Sequence, residues 1–188
     1  MTSSARRFLV RDRTSSSHAK VEATVGSFDS LENYRRYLRG SYIFRASLDA
    51  RMNGLHWPEQ FGLWAASDRL TDLMRQDMDD LGVTPPPINL AQPEPLLASD
   101  FESLLGTLYV VEGSSLGARV LFRRAQTLGL SDTFGARHLA AQARSVERWK
   151  RLLELLESAP VLDLDRTVAA SEATFVAVER AFEGGDHA

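Results

Sequence analysis

His18 and Glu22 stand four residues apart, which puts an imidazole and a carboxylate on one face of any helix that carries them. Such a pair can bind a metal through one ring nitrogen while the carboxylate orients the ring. It can equally be an ordinary surface pair. Arg11 and Thr14 join the same side if the helix begins early enough. A second unusual stretch places Gly106, Gly113 and Gly117 inside an apolar helical pattern. On a helix surface these glycines fall within about 40° of one another. Each costs about 1 kcal/mol relative to alanine, so a gain of about 3 kcal/mol must offset them. Two readings fit. Small residues let two helices approach closely, and bare backbone can also press against a flat ligand. Ser114 and Ser115 beside Gly113 favour a kink. Tyr109, one turn earlier, reads either as a core tyrosine or as a hydroxyl offered to an anionic ligand group.

Other candidates are weaker. Arg137, Arg144, Arg148 and Arg151 fall on one side of a later helix, as a solvated face or as partners for ligand carboxylates. His56 precedes Trp57 and Pro58 in a loop and reads as structural. His138 reads as a surface residue near a helix start, and His187 lies in the tail. Glu147 with Glu154, and Asp77 with Asp80, lack the second helix with a matched Glu-x-x-His that a di-iron site requires. The chain contains no Gly-x-Ser-x-Gly, phosphate-binding loop, dinucleotide fingerprint or His-Glu-x-x-His. It has no cysteine, which excludes disulfides, thiol nucleophiles and thiolate-bound iron.

The elements expected to position these residues are helical throughout, giving an all-α, irregular multi-helix bundle. Helices are expected from Thr14 to about Val25, from Asp29 to about Met52, and from Phe61 or Trp64 to Leu81. Further helices run from Ser99 to about Leu128, from Asp132 to about Glu157 and from Asp163 to Phe182. Glycines at 82 and 129 suit the ends of two of them. Within the Asp132–Glu157 helix, Leu139, Val146, Trp149, Leu153 and Leu156 form the expected core stripe. Prolines 85–87, 93 and 95 make residues 83–97 an irregular loop.

The 188 residues suggest a single domain, 1–188, with flexible ends at about residues 1–10 and 184–188. A net charge of -3 argues against a general nucleic-acid binder. Met1 to Val10 lacks the apolar core of a signal peptide, and no apolar run reaches about 18 residues, so the chain reads as cytoplasmic with no membrane span.

Two segments together resemble haem oxygenases. Arg11-Asp-Arg-Thr14-Ser-Ser-Ser-His18-Ala-Lys-Val-Glu22 looks like the proximal segment of that family. Leu108-Tyr109-Val-Val-Glu112-Gly113-Ser114-Ser115-Leu116-Gly117-Ala118 is similar to the distal-helix signature of bacterial members, including those associated with bacteriophytochromes. The segments occur in the family's order and separation.

The resemblance implies a haem oxygenase-like fold with haem between the first and fourth expected helices. It makes His18 the iron ligand, with Glu22, Arg11, Thr14, Tyr109, Gly113, Gly117 and Ala118 around the cofactor. Gly113, Ser114 and Gly117 would line the reacting side. Haem is then both cofactor and substrate. With dioxygen and an external electron donor, a ferredoxin or a reductase, it yields biliverdin, carbon monoxide and ferrous iron. A bacteriophytochrome is the implied recipient of the biliverdin. The chain departs from the mammalian pattern at Ser114, where that pattern has aspartate, and at Ala118, where it has a second glycine. Ser114 or Ser115 would then hold the water that the aspartate otherwise holds. A non-catalytic haem carrier or sensor on the same fold is the alternative. A helical interaction protein without cofactor is a third reading.

Overall fold

A computed structural model describes residues 5–66, 69–88 and 99–185. His187 and the prolines at 93 and 95 lie outside these residues, as do 1–4 and 186–188 of the expected loose ends. The helices are α1 (Ala5–Val25), α2 (Leu31–Met52), α3 (Gly62–Ala65), α4 (Leu70–Asp80), α5 (Phe101–Thr127), α6 (Arg137–Arg144), α7 (Val146–Ser158) and α8 (Leu164–Gly185). Among the described residues every named element is helical, as expected. None is long and apolar enough to cross a membrane.

Local chemistry explains the boundaries. Ser30 starts α2 by accepting the Asn33 N–H, and Asp100 starts α5 by accepting that of Ser103. Each start lies one or two residues from the expected position. Glu102, in the first turn of α5, accepts the Asp163 N–H ahead of α8 at 3.4 Å. Gly82 and Gly129 take φ of +62° and +84° just past α4 and α5, the left-handed backbone that glycine tolerates. The expected loose end is helical from Ala5 onward. Arg6 donates to the carbonyls of Leu156, Glu157 and Ala159, and Val10 is fully buried.

Two expected helices are each broken in two. The Phe61–Leu81 helix becomes a 3-10 turn at Glu59–Phe61, α3, and then α4 after Arg69 at φ +61°. The Asp132–Glu157 helix begins only at Arg137 and breaks at Ser145. The cause of both breaks is that the protein has two apolar cores. One gathers Phe28, Tyr37, Met78 and Leu139 from α2, α4, α6 and the turn before α2. The other gathers Val10, Phe61, Trp64, Leu108, Leu152 and Leu156. A straight helix cannot face both cores, so α3 and α7 turn to the second while α4 and α6 stay with the first. The expected stripe is accordingly divided, with Leu139 in one core and Leu156 in the other.

α8 is the element shared by α1, α2 and α5. Two glycines make this possible. A Cβ on Gly40 would lie 2.7 Å from the Phe182 ring, and one on Gly106 would lie 2.2 Å from the Thr167 carbonyl oxygen. Ser171 closes the second contact by donating to the Gly106 carbonyl at 2.9 Å.

His138 is not a surface residue. It is fully buried, with Nδ1 2.8 Å from Asp77 Oδ2. The Asp77 carboxylate also accepts the backbone N–H groups of Arg137 and His138, so it caps α6 from α4. Burial pushes the Asp77 carboxyl up. The hydrogen bonds and charge of His138, with the two backbone donors, outweigh it and leave the carboxyl below its ordinary 3.8. Its folded value is depressed, so its contribution to stability is complete above about pH 4 and disappears as pH falls through the folded value. Asp77→Asn removes the charge and one acceptor. It should lower stability at pH 7 by about 2–3 kcal/mol in urea unfolding, with less acid sensitivity than the wild type.

Candidate functional site

The three glycines of α5 do different work. Gly106 is a helix-packing residue against α8. Gly113 and Gly117 are not. A Cβ on Gly117 would meet nothing within 4 Å, and one on Gly113 would meet only the Trp149 ring, at an ordinary 3.5 Å. Around them Leu116 and Val120 are 50% and 51% exposed, unusual for large aliphatic residues on a central helix. The outer part of α5 is therefore an open, apolar, side-chain-poor surface.

Tyr109 lies within about 40° of Gly113 around the helix, and Arg11, Asp12 and Arg7 of α1 are close enough to act on its phenol. Burial pushes the phenol above its ordinary value, and the two arginines pull part of the way back. Tyr109 is thus a half-buried hydroxyl within electrostatic reach of two guanidinium groups, a setting suited to an anionic ligand group. Its ring packs 5.3 Å from that of Trp149. Arg7 and Arg11 both lie over the Phe8 ring, and Arg11 pairs with Asp12 at 3.0 Å.

On α1, His18 is exposed, with Nδ1 3.7 Å from Glu22 Oε1. Its ring meets Phe175 of α8 edge-on, centroids 6.0 Å apart. That arrangement turns Nδ1 toward Glu22 and leaves Nε2 as the nitrogen for a metal. Thr14, about 40° from His18 around the helix, is enclosed. It is 3% exposed and donates its hydroxyl to the Val10 carbonyl at 2.8 Å. Ala118 is likewise buried in the core behind α5. His18, Glu22 and Arg11 are thus exposed on α1, Gly117 is exposed and Tyr109 and Gly113 half-buried on α5, and Thr14 and Ala118 are buried.

The two serines differ. Ser115 is buried and donates to the Glu112 carbonyl at 2.6 Å. Ser114 is exposed, donates to the Val111 carbonyl and accepts from Gln142 Nε2, each at 2.6 Å. Both compete with the helix ladder where a kink was expected. The four arginines form no stripe, because the break at Ser145 separates them. Arg137 pairs with Asp77 and Asp80, Arg144 with Asp132, Arg148 with Glu112 and Arg151 with Glu154.

Glu112 is the residue that sequence reasoning passed over. It is 5% exposed; its Oε1 accepts from Trp64 Nε1 at 2.8 Å and lies 3.0 Å from Arg148 Nε. The available signal was an acidic side chain closing the apolar run Leu108–Val111 just before Gly113.

No family model matches the chain. Heme oxygenase PigA of Pseudomonas aeruginosa is 32% identical over 166 residues, covering 86% of this chain and 82% of that protein. The heme oxygenase of Neisseria meningitidis, solved with NO and CO bound, superposes with a TM-score of 0.73. That match is 24% identical and covers 96% of this chain and 91% of the other.

The glycines predict opposite stability effects in the ligand-free protein. Gly106→Ala should destabilise by about 1–3 kcal/mol through overpacking. Gly117→Ala should stabilise by up to about 1 kcal/mol through helix propensity. Thermal unfolding of the two variants checks both signs.

Proposed function

Because the chain belongs to the haem oxygenase family, we propose that haem lies against the open faces of α1 and α5 with His18 as its iron ligand. The observation that carries this reading is the orientation of α5. Its bare Gly113–Gly117 surface shares a side with Tyr109, and Tyr109 lies within reach of α1 charges. An exposed imidazole on one helix and a surface without side chains on the other fit a flat macrocycle that brings its own equatorial donors. Leu116 and Val120 supply apolar contact for such a ring.

Haem, when bound, supplies the redox and oxygen chemistry and is itself opened to biliverdin, carbon monoxide and ferrous iron. The protein's residues do the rest. His18 Nε2 provides a neutral nitrogen ligand in a chain that has no thiolate. Glu22 and Phe175 hold the imidazole plane. Gly113 and Gly117 keep bulk away from the reacting side. The Tyr109 hydroxyl and the Arg11 guanidinium bind the propionates. Thr14 and Ala118 support α1 and α5 from the core side instead of touching the ring. Ser114 Oγ, the exposed one of the two serines, holds a proton-delivering water in place of the aspartate of the mammalian pattern.

Electrons come from an external ferredoxin or reductase. The segment Glu112–Ala118 favours the bacteriophytochrome-associated subtype, in which a bacteriophytochrome receives the product.

Haem titration of the wild type should give a Soret shift, and single turnover with reductant and oxygen should give biliverdin. A stable haem complex that never opens would favour a carrier or sensor. His18→Ala should abolish the normal ligation spectrum and ring opening; full activity in that variant would refute the ligand assignment. Gly117→Leu should lower haem affinity by about tenfold or more by filling the open face. Ser114→Ala should slow turnover at unchanged haem affinity, and an unaltered rate would remove Ser114 from proton delivery.

A further inference from the structure

The α5 segment at the open face presents few side chains outward. Gly113 and Gly117 contribute no side chains, Leu116 and Val120 are exposed, and Ser114 and Ser115 draw on helix carbonyls. Trp64 and Arg148, the two partners of Glu112, line a cavity of about 320 Å³ together with Arg45, Asp49 and Thr71. At this level α5 is tied by polar contacts in addition to the burial of Val111 and Ala118. Glu112 makes two of these polar contacts, the hydrogen bond from Trp64 of α3 at 2.8 Å and the ion pair with Arg148 of α7 at 3.0 Å. These partners come from two different elements of the second core, so they fix the Glu112 backbone in more than one direction. Arg148 adjoins Trp149, whose ring lies over Gly113. One turn of α7 thus grips α5 from below and borders its open surface.

Building on the haem reading above, we propose that Glu112 is a positioning residue, setting through Trp64 and Arg148 how close the Gly113–Gly117 backbone stands to the macrocycle. That distance selects which ring edge is opened. Backbone at the glycine face is the nearest protein to the reacting side, and a small shift there changes which edges are sterically free. Glu112 touches neither substrate nor reacting atoms and acts only through the helix it anchors.

The test uses Glu112→Gln, which keeps the shape and loses the charge, and Trp64→Phe, which removes one hydrogen bond and keeps a ring. In the ligand-free proteins, amide hydrogen exchange at residues 113–117 should accelerate by about tenfold. Haem affinity should stay within about threefold of wild type. In single turnover the share of minor biliverdin isomers should rise by about fivefold, since small barrier differences set that ratio. An unchanged isomer ratio in the folded variants overturns the proposal even if exchange accelerates, because the contacts then serve stability alone. A changed ratio without faster exchange overturns the route through α5. If Glu112→Gln does not fold, Trp64→Phe decides. Failure of the wild type to bind haem is a separate result and would instead sink the haem reading.

Discussion

The contact between α5 and α8 at Gly106 is the constraint on which the other features rest. Any side chain there would drive into the Thr167 carbonyl, so the two helices reach their separation only because the position is bare. α1 leans on the same α8, where His18 meets Phe175. The placements of α1 and α5 are therefore both set against one common helix.

A second consequence concerns where polar groups are buried. Glu112 is a buried carboxyl, which requires partners of good geometry. Trp64 and Arg148 supply them from elements separated from Glu112 in sequence. Asp77 plays the same role at the other core, gathering two backbone donors and His138. The separation of α3 from α4 and the break at Ser145 allow each of these clasps to form, since unbroken helices would have carried Trp64 and Arg148 to other faces.

The local part of this structure was readable from periodicity and caps. Helix content, the glycine ends at 82 and 129, and the singular character of the α5 stretch all depend on residues within one or two turns. The resemblance of residues 11–22 and 108–118 to haem oxygenases added the family, which the 32% identical relative bears out. His18 is exposed beside Glu22 because both simply follow the helical repeat.

What tertiary structure alone decided was the partner of each residue. Three glycines at one angular position read alike, yet Gly106 meets a backbone carbonyl and Gly117 meets nothing. Four arginines in a row of helical spacings read as one face, yet each answers a different acid. His138 reads as exposed and is fully enclosed. Helical periodicity states which residues share a face, a property of a few consecutive turns. It does not state what that face packs against, which depends on chain brought in from dozens of residues away. The sequence by itself therefore determined an all-helical chain with an iron-ligand candidate and a bare helix surface. Only packing determined which part of that surface is open, and that Glu112 holds it there.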